Sequence, residues 1–429
     1  MIRMSSDIFI QIASYRDPQL GPTLRDAAAR ATDPRRLHFC IAWQHGPEET
    51  AEQQFGGLPE GVKLTILDIP HVESKGACWA RHQIQQKYGG ETYTMQLDSH
   101  HRFVDGWDDV CIDMLESLRD AGFAKPLLTA YLPSFDPERD PEARVAVPWY
   151  QWFDRFIPEG AVFTRPGDLV NWQERTSPPH ARFYSAHFAF TLGAFALEVQ
   201  HDPEFYFHGE EISITARAYT HGYDLFHPHR LIAWHEYTRR GRAKHWDDHD
   251  AWVGANVSCH DLNRQLFGMD EYADQPLKVA AVQQGPFGFG TVRSLEAYER
   301  YAGICFRRRA VTRAVLDNIE PTPDDNTAMT YAEFEASAIP RFRHCIDIGY
   351  DRVPLDDYEY WCVVFKDADG NDLYRGDAGP EEIAHMRNDP DHYCKVWREF
   401  VTDVRPATWV VWPRSKSRGW CPPIVGSLG

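Results

Sequence analysis

The residues with the plainest chemistry stand at the end of a short apolar run. Thr92 to Leu97 (TYTMQL) has the make-up of a buried strand, and it leads into Asp98-Ser99-His100, then His101, Arg102 and Phe103. On an extended backbone residues two apart project to one side, so Asp98 and His100 face the same space beyond the strand's carboxyl end. In an open α/β sheet that space is the ligand crevice. A carboxylate beside an imidazole supplies two arms of a divalent-cation site. The imidazole favours Mn²⁺ over Mg²⁺, which prefers oxygen ligands and stands as the lesser alternative. Polar capping of a strand end is the plain explanation, and the pair alone does not separate the two.

The elements that must position this pair alternate along the chain. Ile8 to Ala13, Leu37 to Trp43, Val62 to Ile69, Leu127 to Leu132 and Phe183 to Leu192 are predicted strands. Thr23 to Ala31, Ala77 to Tyr88 and Trp107 to Leu118 are predicted helices, and another starts at Gly209-Glu210-Glu211 and closes at Gly222. The alternation implies a Rossmann-like, mostly parallel sheet. Leu225 to His235 (LFHPHRLIAWH) is predicted as one further strand, followed by the basic run Arg239 to Lys244. Pro133 to Pro179, rich in Pro, Asp and aromatic residues, is predicted as a long functional loop. Neither G-x-G-x-x-G nor a P-loop occurs, so those phosphate cradles are missing. From about residue 340 the texture becomes β-rich. The expected division is a main domain at 1–335 and a small β-rich accessory unit at 336–429.

Composition narrows the partners. The formal charge is −18, from 45 basic and 63 acidic residues, which speaks against general nucleic-acid or anionic-membrane binding. A phosphorylated ligand then needs cations gathered locally, as metal or as clustered Arg and Lys. Nine cysteines, an odd number without framework spacing, read as reduced thiols. The start MIRMSSDIFIQIASYRD lacks the apolar core of a signal peptide, and the stretch Phe188 to Val199 is too short to span a bilayer. A soluble cytoplasmic protein without a membrane span is expected.

Three separated stretches fit one scheme: Ser74-Lys75-Gly76-Ala77-Cys78-Trp79-Ala80-Arg81 leading to Asp98-Ser99-His100; Asp202-Pro203 with Phe207-His208-Gly209-Glu210-Glu211 and Ala216 to Asp224; and His235 at the end of LIAWH. Over roughly residues 5 to 310 this order resembles glycosyltransferase family 60, whose characterised members attach N-acetylglucosamine (GlcNAc) to protein hydroxyl groups. A more distant likeness exists to the mucin-type polypeptide GalNAc-transferases. The resemblance implies a GT-A fold, a retaining transfer from UDP-GlcNAc, a Mn²⁺ ion at the diphosphate, and a protein serine, threonine or hydroxyproline as acceptor. Another UDP-sugar or a glycan acceptor is the alternative.

Carried over by position, the resemblance makes Asp98, His100 and His235 metal ligands, with His227 and His229 as rivals for the third place. It sets Arg81 facing the diphosphate and Arg239, Arg242 and Lys244 in a covering loop, a local cation cluster of the kind phosphate chemistry needs. Gly209 and Glu210 stand at a helix start, where Glu210 would meet the sugar or the positive charge at its anomeric carbon; a carboxylate favoured by the helix dipole is the plain alternative. His187 falls near the sugar's floor, Ser99 lies within the D-x-H, and Ser14, Tyr15 and Arg16 border the base and ribose. Trp149, Trp152 and Trp172 offer an aromatic platform for the acceptor, with core packing as the alternative. A metal-dependent phosphoesterase also uses an early D-x-H, but it needs further acidic and Asn-His ligands that do not follow here. A non-catalytic binding module is the third class.

Overall fold

A computed structural model describes residues 7–238, 241–323, 329–387 and 393–428. Its centre is a seven-stranded sheet. In chain order the strands are β1 Ile8–Tyr15, β2 Leu37–His45, β3 Lys63–Pro70, β4 Tyr93–Leu97, β5 Pro126–Thr129, β6 Phe188–Leu192 and β7 Asp224–Phe226. Their spatial order is β7-β5-β6-β4-β1-β2-β3. All neighbours run parallel except β6, which is antiparallel to both β4 and β5. The inner strands are near-continuous apolar runs because helices cover both faces. Ile8, Ile10, Ile12, Phe39, Ile41 and Met95 are fully buried. This is the mostly parallel, Rossmann-like sheet that the alternating pattern implied.

Four helices matter for the site: α1 Leu20–Arg30, α2 Ala77–Gln85, α3 Trp107–Asp120 and α4 Glu210–Thr220. Helix α3 anchors the loop after the D-x-H. Its first residue, Trp107, is fully buried and donates its indole N–H to the Ala27 carbonyl in α1 at 2.8 Å. Asp108 accepts the backbone N–H of Thr32 at 2.7 Å.

Two expectations need correction. Leu225 to His235 is not one strand. β7 ends at Phe226, and Ala233–His235 pairs antiparallel with His101–Phe103, in register His235↔His101. Pro228 lies between the two pieces; it has no N–H to give a ladder and a fixed φ, so the strand cannot continue. The break swings His235 across to the D-x-H. The second correction is Pro133 to Pro179, which contains a hairpin, Trp149–Phe156 with Val162–Asp168. It turns at Gly160, whose φ of +102° suits glycine.

Towards the carboxyl end, Ile339–Gly349 pairs with Tyr393–Val401, and Tyr358–Lys366 pairs with Asp372–Ala378 and Thr408–Ser415. These strands enclose their own apolar core of Trp361, Val363, Phe365, Val396 and Val411. A turn lies at Asp367 to Gly370, with Asp367 N–H donating to the Asn371 carbonyl. Among the described residues no disulfide links the nine cysteines, and no helix is long and apolar enough to cross a membrane.

Replacing Trp107 by Ala removes a buried indole and its hydrogen bond. It is expected to cost about 3–5 kcal/mol, measured as a lowered denaturant midpoint. A loss below about 1 kcal/mol would contradict this role for α3.

Candidate active site

β1 and β4 are neighbours in register Ile12↔Leu97, so the chain leaves both strands towards the same edge. Asp17 follows β1, and Asp98 and His100 follow β4. His235 arrives from the antiparallel pair. Asp98 Oδ2 lies 3.5 Å from His235 Nε2 and 3.7 Å from His100 Nε2. One ligand-type atom from each of the three residues lies within 4.8 Å of the others. Neither ring nitrogen of buried His235 has a hydrogen-bond partner, an omission that ordinarily costs about 1–3 kcal/mol. Burial pushes His235 well below its usual range, which keeps the imidazole neutral, the ligating form. Burial alone would raise Asp98, but the His235 ring and the Arg81 charge hold it well below the usual carboxylate range. An orphaned neutral imidazole opposite an ionised carboxylate fits a divalent cation.

The surrounding charges agree. Arg81, on α2, donates from Nη1 to Glu210 Oε1 at 2.8 Å and from Nη2 to Asp98 Oδ1 at 3.1 Å. Arg242 reaches Asp17 Oδ2 at 3.1 Å and Glu236 Oε2 at 2.8 Å, and it touches His100 Nδ1. Four carboxylates thus gather around Arg81 and Arg242 in a poorly hydrated place. A divalent cation would add positive charge among them.

Glu210 is the first residue of α4. Gly209 before it has φ +92°, and a Cβ there would stand 3.2 Å from Asn263, so the turn favours glycine. Glu210 Oε2 accepts the Cys78 thiol at 2.5 Å. Burial pushes that thiol well above its ordinary range, so it stays a protonated donor. Both Glu210 oxygens are therefore engaged.

Asp17, Arg81, Asp98, His100, Glu210, His235 and Arg242 line a cavity of about 830 Å³ that also takes in Tyr15, Ser99, His187, Gly209, Trp149 and Lys244. That size suits a ligand larger than a simple metabolite. His187 stacks on His235 with ring centres 4.3 Å apart, and its Nε2 accepts the Leu132 N–H at 2.9 Å. It serves as wall, not as a ligand. His227 Nδ1 donates to the Thr129 carbonyl at 2.7 Å, and neither it nor His229 reaches the cavity.

Several expected residues are not on the cavity wall. β1 runs two residues further than predicted, so Ala13 and Tyr15 face the cavity and fully buried Ser14 lies on the opposite face. Arg16 bridges Glu48 and Asp248, both at 3.0 Å. Trp149 lines the cavity, but Trp152 lies on the other side of the hairpin, stacked on Tyr150 at 4.0 Å, and Trp172 sits on a separate turn. Arg239 lies outside the described residues. Conversely, Tyr131, Phe163, Phe207 and Tyr237 line the cavity without having been expected there. Tyr237 had a signal: it stands two residues past His235, on the same side of the chain.

A family model described as Glycosyltransferase (GlcNAc) matches residues 7–58 and 58–308. Among curated proteins no sequence matches. The solved structures similar to this chain include GalNAc-T7 with UDP, GalNAc and Mn²⁺, at 14% identity, TM-score 0.45, and 69% of this chain against 55% of that one. They also include S. aureus TarS 1–349 in complex with UDP-GlcNAc, at 12% identity, TM-score 0.34, covering 73% and 84%. A third is the mannosyltransferase PcManGT from Pyrobaculum calidifontis with GDP-Man and Mn²⁺, at 12% identity, TM-score 0.34, covering 66% and 77%. The chain spans about half the length of the GalNAc-T7 chain.

Glu211, beside Glu210, gives a pH-dependent test. Burial raises its carboxyl from 4.5 to about 7, although it accepts the Ala186 N–H at 2.8 Å. Between those values the folded chain holds a proton that the unfolded chain has released, so stability falls as pH rises through this window. Glu211→Gln removes the effect. The wild type is expected to lose melting temperature relative to the variant between about pH 5 and pH 7; parallel profiles would contradict the assignment.

Proposed function

Since the chain belongs to the glycosyltransferase (GlcNAc) family, we propose that it is a metal-dependent, retaining transferase moving GlcNAc from UDP-GlcNAc to a hydroxyl acceptor, namely a protein serine, threonine or hydroxyproline. The observation that carries this reading is the convergence of Asp98, His100 and His235 at the sheet's carboxyl edge, with the His235 ring left unpartnered. Mn²⁺, with Mg²⁺ as a substitute, would be held by these three residues and would supply Lewis-acid neutralisation of charge on the departing diphosphate.

The chain's own groups divide the remaining work. Arg242 and Lys244, on one rim of the cavity, offer positive charge to the diphosphate, and Tyr15 borders the nucleoside end. Arg81 orients Asp98 and Glu210 together. Glu210, held by Arg81 and Cys78, supplies fixed negative charge near the sugar rather than a free nucleophile. Transfer then proceeds on one face. The acceptor oxygen bonds to the anomeric carbon as the carbon–phosphate oxygen bond breaks, and the hydroxyl proton passes to the departing phosphate oxygen. Such a step needs no dedicated protein base. Trp149, Phe163 and Tyr237 give the acceptor an aromatic wall. Residues 1–335 form the transferase unit in this reading, and residues 336–429 an accessory unit.

With Mn²⁺ and a serine/threonine/proline-containing peptide, the protein is expected to release UDP from UDP-GlcNAc and to add one GlcNAc to the peptide. Asp98→Ala should lower the rate at least about 100-fold, and chelation should do the same reversibly. Full activity in Asp98→Ala would refute the site, and phosphodiester cleavage without transfer would point to a phosphoesterase.

A further inference from the structure

Asp17 touches three polar groups with one oxygen. Its Oδ2 is 2.7 Å from His100 Nδ1, 2.7 Å from Ser99 Oγ and 3.1 Å from Arg242 Nη1, while Oδ1 accepts the Gln19 N–H at 2.8 Å. The residue is 3% exposed. It follows β1, on the same sheet edge at which His100 follows β4.

We propose that Asp17 is a positioning residue for the cation site, fixing His100 as the tautomer whose Nε2 lone pair faces Asp98 and His235. The inference rests on reading those three residues as metal ligands; Asp17 is not one of them. An ionised carboxylate only accepts and a guanidinium only donates. His100 Nδ1 touches both Asp17 and Arg242. Arg242 already has two carboxylates, Asp17 and Glu236, so its charge is matched without the ring. The ring proton therefore belongs on Nδ1, where it donates to Asp17. Nε2 is left with its lone pair. The spacing across the site agrees: His100 Nε2 stands 3.7 Å from Asp98 Oδ2, longer than a hydrogen bond and suited to two acceptors with an ion between them. A ligating imidazole ordinarily has its second nitrogen held in this way.

Asp17→Asn is the sharp variant. It keeps the shape and the Oδ1 contact to Gln19, but it places an amide N–H₂ opposite His100 Nδ1. That donor demands a lone pair on Nδ1 and drives the proton to Nε2, the wrong tautomer for a ligand. Two readouts decide the matter. Mn²⁺ binding without nucleotide, followed by the electron paramagnetic resonance of free Mn²⁺, should weaken at least about 10-fold in Asp17→Asn with an unchanged melting temperature. In metal-free protein, ¹⁵N spectra of the histidine rings should show His100 protonated on Nδ1 in the wild type and on Nε2 in the variant. A folded variant that binds Mn²⁺ like the wild type, or a wild-type ring protonated on Nε2, overturns the proposal. Absence of Mn²⁺ binding in the wild type would instead overturn the ligand reading, and the ring spectra would still decide the role of Asp17.

Discussion

Carboxylates gathered away from bulk water at one edge of the central sheet are the constraint on which this structure turns. Asp17, Asp98, Glu210 and Glu236 surround the end of that sheet, where Arg81 and Arg242 pair with them. Holding so much charge in such a place is costly, and its concentration beside the unpartnered His235 ring fits a site kept for a ligand. On the proposed reading, an acidic chain that handles a diphosphate would gather positive charge at this one point instead of spreading it over the surface.

That point exists because of strand order and register. β4 lies beside β1, so Asp98 and His100 emerge next to Asp17. The third group comes from a strand of three residues whose pairing with His101–Phe103 sets His235 opposite His101. Arg81 comes from the helix that precedes β4, and Glu210 from the start of α4. Segments far apart in the chain thus meet at one edge, the usual crevice of a doubly wound sheet. The hairpin Trp149–Phe156 and Val162–Asp168 closes the other side with aromatic rings.

Much of this was legible from residue types. The D-x-H stood out because period-two geometry at a strand end is simple, and the helix start at Glu210 follows from the glycine before it. Other parts were not legible. His235 could be linked to Asp98 only through a family resemblance, because the apolar run from Leu225 hides a break at Pro228. Ser14 was expected beside the base through the family resemblance, but β1 continues to Tyr15 and its alternation turns Ser14 away from the cavity. Trp149 and Trp152 look alike in sequence yet face opposite ways on the hairpin. The grip of Asp17 on Arg242 joins positions 225 residues apart and has no local signature at all.

Asp98, His100 and His235 are proposed to form one coordination sphere beside the donor's diphosphate. Anomalous diffraction at the manganese edge, from crystals grown with Mn²⁺ and UDP-GlcNAc, is the decisive test. One peak is expected about 2.0–2.3 Å from Asp98 Oδ2 and from the Nε2 atoms of His100 and His235, touching a phosphate oxygen. A peak elsewhere, or a nucleotide bound with the His235 ring turned away and no metal between the three side chains, would contradict it.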